Sequence, residues 1–141
     1  MTCGFEDQSI DTGRFLLSRI NNENYQFHHI RFDCIQGEQG ELVFEPSDVE
    51  YYFEPVTIQE SGTSILKNEL ENSEDGAGQV GFQLSNDGTN EIQYGKSNYY
   101  SFQHPHEGSN QIPLFIRPRT YGNNVSSGQI MSRVKIVVMY N

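Results

Sequence analysis

The sequence predicts an all-β sandwich formed by a single domain over residues 1–141. Apolar residues alternate with polar ones over short segments, whereas the roughly 3.6-residue spacing of an amphipathic helix is poor throughout. Turn-forming residues separate these segments at intervals of about 8–12 residues, as in many β-sandwiches. No internal repeat and no linker divides the chain, whose length suits one hydrophobic core.

Each predicted strand has one apolar face. In residues 25–34, for example, Ile30, Phe32 and Cys34 share a face with His28. Further strands are predicted at 48–54, 79–84, 91–94, 112–118 and 129–140, with a hairpin turn signal at Asn86-Asp-Gly88. The last strand is the clearest, because its even positions form one apolar face made of Ile130, Val134, Ile136, Val138 and Tyr140. Arg133 and Lys135 lie on the other face.

The charge distribution excludes some classes of partner. Nine Lys and Arg against nineteen Asp and Glu give a net charge of −10, which argues against nucleic acid. From Gly108 to Asn141 there is no acid, and the bases there are Arg117, Arg119, Arg133 and Lys135. The favoured interpretation is that these bases are solvated side chains on edge strands, and the alternative is a docking surface for an acidic partner. No apolar run approaches the ~20 residues of a membrane span, and the N-terminus lacks the pattern of a signal peptide.

The triplet Asp11-Thr-Gly13 has the composition of the aspartic protease signature, but its context predicts no enzyme. A catalytic aspartate dyad needs buried carboxylates among small and apolar residues. Here the large cation Arg14 follows directly. Asp-Thr-Gly is also good turn chemistry, so a turn role is predicted for Asp11.

Other candidate sites are weak. His104 and His106 place two imidazoles at i and i+2, yet no second ligand pair has metal-site spacing, so no metal or cofactor is predicted. The pairs Tyr51-Tyr52 and Tyr99-Tyr100 suit a sugar-binding face, but strand alternation favours one core and one surface ring in each pair. Cys3 and Cys34 would be unpaired thiols in a cytosolic chain and a disulfide in a secreted one.

Several of these segments, taken in order, resemble the pilin domain of the bacterial chaperone–usher fimbriae. Such domains have an early cysteine, a first strand with an Asp-x-Gly-like turn and a second cysteine that closes the next strand. A glycine-bearing strand, a polar hairpin, an Ile/Leu-Pro-Leu strand and a long last strand with a penultimate tyrosine follow. The matching segments here are Cys3, Ile10-Asp-Thr-Gly13, Ile30-Arg-Phe-Asp-Cys34, Gln79-Val-Gly-Phe-Gln-Leu84, Ser85-Asn-Asp-Gly88, Ile112-Pro-Leu114 and Gly128 through Tyr140-Asn141.

The resemblance implies an incomplete immunoglobulin-like sandwich that lacks one strand. A donor strand from a partner would then fill an apolar groove between the first and last strands. The groove residues implied are Ile10, Ile130, Val134, Ile136, Val138 and Tyr140. Tyr140 and the carboxylate of Asn141 would anchor to a basic pair in a periplasmic chaperone, and Cys3 and Cys34 would form a disulfide. Asp11 and Gly13 would lie in the turn of the first strand, without a catalytic role.

The implied function is that of a structural subunit of an adhesive fimbria, reaching the bacterial cell surface through the periplasm. Its partners would be a neighbouring subunit, the chaperone and the outer-membrane usher, and a host receptor only through an attached adhesin domain. Pilins of the shaft carry a donor extension before the first cysteine, whereas only Met1 and Thr2 precede Cys3 here. The chain is thus expected to be a shaft or minor pilin with its extension removed, or the C-terminal pilin domain of a tip adhesin. The alternative is a receptor-binding β-sandwich adhesin domain that recognises carbohydrate or protein.

Overall fold

The computed structural model describes residues 2–35, 48–57 and 59–139, and the predicted all-β fold is confirmed. The described chain forms seven strands: β1 (Thr2–Phe5), β2 (Gln26–Ile35), β3 (Val49–Pro55), β4 (Val80–Ser85), β5 (Tyr100–Phe102), β6 (Gly108–Thr120) and β7 (Val134–Met139). Two short 3₁₀ helices, Leu17–Asn22 and Lys96–Asn98, lie between them. Strand alternation accounts for β2, where every second residue from Ile30 to Cys34 is buried.

The strands form two antiparallel sheets that together make an incomplete immunoglobulin-like sandwich. One sheet has the order β1-β2-β6-β4 and the other β5-β3-β7. The register places Ile30 opposite Ile112 in the first sheet and Phe53 opposite Ile136 in the second. β1 and β7 are edge strands of different sheets, and in the described residues no hydrogen-bonded ladder joins them. The sandwich is therefore open along the side where β1 and β7 lie.

The main core fills the space between the sheets. It is rich in aromatic rings, with Phe32 and Phe53 fully buried and Tyr51 against both Phe53 and Tyr100. Burial of the hydroxyl, together with the neighbouring Tyr100, raises the pKa of Tyr51 to about 12. A second, smaller cluster of buried residues is formed by Ile20, Ala77 and Val80.

The disulfide implied by the resemblance is present. Cys3 and Cys34 are cross-strand partners in the β1–β2 register, and their sulfur atoms are bonded at 2.03 Å. Both residues are buried in the main core. The bond therefore ties the short edge strand β1 to the centre of its sheet.

Two expectations about strand positions are wrong. The segment 91–94 forms only an isolated bridge at Glu91 and is otherwise outside the strands. The Asp87 Oδ1 closes a compact turn before this segment by accepting the backbone N–H groups of Thr89 at 2.8 Å and Asn90 at 2.7 Å. The returning chain then bonds only from the Ile92 N–H to the Leu84 carbonyl oxygen, because Leu66 occupies the next position on the edge of β4 through two backbone hydrogen bonds with Phe82. The predicted strand 129–140 begins as a sheet strand only at Val134, because the preceding residues bond to loops instead. The two glycines Gly37 and Gly40 also predict a loop at 37–40, and these residues lie outside the described ranges.

We expect the disulfide to contribute about 3–4 kcal/mol to the free energy of unfolding, through the entropy that a loop of 31 residues loses when closed. The double variant Cys3→Ala, Cys34→Ala should lose stability of that size in urea unfolding monitored by circular dichroism. Adding a reductant to the double variant should change nothing, and this serves as the control. Equal stability of the double variant and the oxidised wild type would contradict the prediction.

The Asp87 turn predicts an acid-dependent stability. Hydrogen bonds from the backbone and side chain of Asn90 and from the backbone of Thr89 hold the pKa of Asp87 well below its ordinary value of 3.8. A lowered folded-state pKa stabilises the native state at pH values above 3.8, and that stabilisation is lost as the pH falls through the folded pKa.

Asp87→Asn should therefore lower the free energy of unfolding at neutral pH. The variant and the wild type should converge in strong acid, where the wild-type carboxyl is also protonated. Urea titrations across the pH range measure this, with Asp7→Asn as a control that removes the same charge from an exposed position. A difference between Asp87→Asn and wild type that stayed constant into strong acid would refute the assignment.

Candidate functional site

The backbone hydrogen bonds of residues 129–133 all point to one side. Three carbonyl oxygens, those of Gln129, Met131 and Arg133, accept backbone N–H groups at 2.9, 2.8 and 3.0 Å. The donors are the N–H groups of Ala77, Glu69 and Thr57, respectively. These acceptors are every second residue, so this stretch is extended and bonds through one edge only.

The other edge of this stretch has no backbone partner in the described residues. The N–H and C=O groups of Ile130 and Ser132 make no backbone hydrogen bond there. Because hydrogen-bonded and non-bonded positions alternate in an antiparallel pair, the same groups of Val134, Ile136 and Val138 face away from β3. Among the residues that the structure describes, an unpaired main-chain edge thus runs from residue 130 to residue 138.

The side chains along this edge form a half-buried apolar face. Val134, Ile136 and Val138 pack against the main core, as does Ile10 from the segment that follows β1. Ile130 packs instead against the second cluster, formed by Ile20, Ala77 and Val80. The structure thus brings four of the predicted groove residues to the main core and places Ile130 further along the same edge. Tyr140 and Asn141, the other predicted residues, lie outside the described residues.

A cavity of about 870 Å³ lies at the Ile130 end of this edge. Ile10 and Ile130 both line it, in the segments 9–15 and 126–132. Other lining residues were not predicted from the sequence, and they are Phe15, Leu17, Ile20, Leu70, Ala77, Val80, Phe82 and Met131. Val80 and Phe82 belong to β4, which was predicted as a strand but not as part of a site. The others come from loops and the 3₁₀ helix Leu17–Asn22, where no periodic pattern in the sequence marks them.

The segment from Glu6 to Leu16 belongs to no strand and is held by side-chain amides. The Gln8 amide donates to the carbonyl of Arg31 at 2.6 Å and accepts the N–H of Arg31 at 2.9 Å. The Gln26 amide donates to the carbonyl of Thr12 at 2.9 Å. Because β1 ends at Phe5, the turn expected within the first strand instead follows it.

The predicted turn role of Asp11 is confirmed. Its Oδ1 accepts the backbone N–H of Gly13 at 2.8 Å, and Gly13 has a φ of 79°, a conformation that favours glycine. Asp11 is exposed, unlike the buried carboxylates that share a proton in an aspartic protease dyad.

Three of the four bases in the acid-free C-terminal part bind other groups of the chain. Arg133 forms a bidentate pair with Glu69, at 2.9 and 3.0 Å from its Nε, and hydrogen bonding from Arg133 lowers the pKa of Glu69. Arg117 lies 4.1 Å above the Tyr25 ring, and Arg119 donates to backbone carbonyl oxygens. Lys135 is exposed. These contacts favour structural roles over a basic docking surface.

The remaining candidates are not assembled into a site. His104 and His106 are both exposed, and the described ranges contain no group of three or more His, Cys, Asp or Glu residues able to hold a metal ion. In the tyrosine pairs, Tyr51 is buried and Tyr99 is 52% exposed. Within the same ranges, no helix is long and apolar enough to cross a membrane.

Two solved structures have a similar fold. The crystal structure of the P pilus rod subunit PapA aligns over 99% of both chains with a TM-score of 0.68 at 15% identity. A chaperone–usher pilus structure, determined to reveal the molecular basis of rod uncoiling, aligns over 99% of this chain and 87% of the other, with a TM-score of 0.64 at 16% identity. The chain has the fold of a chaperone–usher pilin. No family model and no curated protein matches the sequence. The similarity to these two structures confirms the predicted resemblance at the level of the fold.

Gly128 lies in the cavity wall, where its backbone closely approaches the backbone of residues 75–77. Its φ is 151°, and a Cβ atom would lie 2.5 Å from the nitrogen of Ala77 and 2.7 Å from the carbonyl oxygen of Asp75. Gly128→Ala should therefore destabilise the fold by about 1–3 kcal/mol in urea unfolding. Gly4→Ala is the matched control, because its added methyl group has open space. Equal stability of the two variants would contradict the prediction.

Proposed function

We propose that this protein is a structural subunit of a bacterial adhesive fimbria and polymerises by donor-strand exchange. The observation that carries the proposal is the unpaired main-chain edge over residues 130–138, whose apolar side chains are only half-buried. The groove lies between this edge and the chain segment that includes β1 and Ile10. The pilin fold shared with PapA, a pilus rod subunit, supports this role.

Strand addition would both pair the free backbone groups of this edge and cover its apolar side chains. A donated extended segment would pair its backbone with the N–H and C=O groups of alternate residues from 130 to 138. Its inward side chains would cover the half-buried faces of Val134, Ile136 and Val138, which otherwise remain in contact with water. An uncovered apolar edge of this length is an aggregation hazard, so a partner that covers it before assembly also fits.

The partners follow from this role. A neighbouring subunit supplies the donor strand in the fimbria, a periplasmic chaperone covers the groove beforehand, and an outer-membrane usher guides assembly. Tyr140 and Asn141 are the residues that would anchor to a basic pair in the chaperone. The protein reaches the cell surface through the periplasm, where the Cys3–Cys34 disulfide is stable. Receptor binding would come only through an attached adhesin domain, and the role requires no catalytic residue or cofactor.

The test is thermal unfolding of the oxidised chain with and without synthetic extended peptides of alternating apolar residues. A peptide present at about a hundredfold excess over its Kd should raise the melting temperature by about 5–10 °C. A high and cooperative melt that no peptide alters would mean that the sandwich is already complete, and the proposal would fail.

A pair of variants on β7 shows whether the peptide binds in the groove. Ile136 packs against the core from the groove face, whereas Val137 is not among the residues packed against the core. Ile136→Ala should weaken peptide binding roughly tenfold, because about 1.5 kcal/mol of apolar contact is lost. Val137→Ala should leave the affinity within about twofold, a change too small to reflect a lost apolar contact. Isothermal titration calorimetry measures both, and equal losses would place the peptide elsewhere.

A further inference from the structure

Asn68 lies behind the cavity at the Ile130 end of the unpaired edge and is 4% exposed. Its amide group uses its full hydrogen-bonding capacity. Nδ2 donates to the carbonyl oxygens of Ala77 at 2.9 Å and Gln129 at 2.8 Å. Oδ1 accepts the backbone N–H groups of Leu70 and Met131, both at 2.9 Å. Two donors facing two carbonyl groups and one acceptor facing two N–H groups fix the orientation of this amide.

All four backbone partners of the Asn68 side chain belong to residues that line the cavity. Leu70 and Ala77 come from one loop, and Gln129 and Met131 come from the stretch that leads into β7. The same side chain thus fastens two separate walls together. It also satisfies the N–H group of Met131 on the inner side of the edge, which leaves Ile130 and Ser132 on the outer side.

We propose that Asn68 is a positioning residue that holds the cavity end of the groove ready before a strand arrives. This inference rests on the proposed function, since it concerns the same groove. Asn68 holds the backbone groups of Gln129 and Met131 on the inner side. It thereby keeps the N–H and C=O groups of Ile130 and Ser132 directed outward, toward an incoming strand. It also keeps the cavity open for the apolar side chain at that end of the strand, and so it sets the register at which the strand binds.

The test compares peptides of different length on variants of the full chain. One synthetic peptide has alternating apolar residues over the nine positions from 130 to 138, and two shorter peptides each lack two residues at one end. On the wild type, the truncation that removes the side chain in the cavity should weaken binding roughly tenfold or more. The other truncation identifies the opposite end of the groove.

Asn68→Asp is the informative variant, because it keeps the shape and the acceptor but loses both donors to Ala77 and Gln129. We expect the truncation at the cavity end to cost less than about threefold on this variant, since the cavity no longer holds the terminal side chain. The matched control is Asn110→Asp. Asn110 is 3% exposed and likewise donates to two carbonyl oxygens, those of His106 and Gly108, and none of these three residues lines the cavity.

A purely structural role for Asn68 would lower the melting temperature of Asn68→Asp and leave the tenfold discrimination between the peptides intact. That result would overturn the positioning role while strand addition itself stood. Failure of every peptide to bind the wild type would overturn the proposed function, and this inference with it. Loss of discrimination on Asn68→Asp but not on Asn110→Asp is the expected result.

Hydrogen exchange on the wild type tests the positioning role of Asn68 independently. It applies even if Asn68→Asp does not fold. The amides of Leu70 and Met131 should be protected in the unliganded protein because Asn68 accepts both. The amides of Ile130 and Ser132 should exchange quickly and become protected only when the long peptide is added. Rapid exchange of Met131 in the unliganded protein would overturn the proposal.

Discussion

Backbone hydrogen bonding from Gln129 to Met139 is one-sided, and the surrounding structure is arranged around that constraint. Alternate residues of this stretch bond first to the loops that precede β4 and then to β3, so the remaining alternate residues present their N–H and C=O groups outward. Buried main-chain groups need partners, so an edge of this kind can be stable only where water or another strand reaches it. The sandwich is accordingly open beside β7.

The two sides of this opening are stabilised by different means. β1 is too short to form a long edge, and the disulfide between Cys3 and Cys34 ties it to β2. Beyond Phe5, side-chain amides take over, with Gln8 bonded to both backbone groups of Arg31. On the β7 side, Asn68 and the Glu69–Arg133 ion pair fasten the stretch that enters the strand. The opening is thus bordered by segments that tertiary contacts hold in place without a ladder between them.

Competing hydrogen-bond partners explain where sequence patterns and observed strands diverge. The alternation after the Asn86-Asp-Gly88 turn predicts a returning strand, yet its pairing with β4 goes no further than the bond from the Ile92 N–H to the Leu84 carbonyl oxygen, because Leu66 already occupies the edge of β4 at Phe82. Alternation also predicts a strand from residue 129. The backbone there is extended as expected, but its partners are a side-chain amide and loop carbonyl and N–H groups instead of a neighbouring strand.

The sequence by itself determined the fold class, the faces of the main strands and the apolar face of β7, because period-two alternation is a local property of the chain. The order of its segments also indicated the pilin fold and the pairing of Cys3 with Cys34. Only the tertiary structure decided which edge of β7 lacks a partner and which loops line the cavity beside Ile130. Asn68 shows the reason, since its four partners lie up to 63 residues away and no local pattern marks a buried amide.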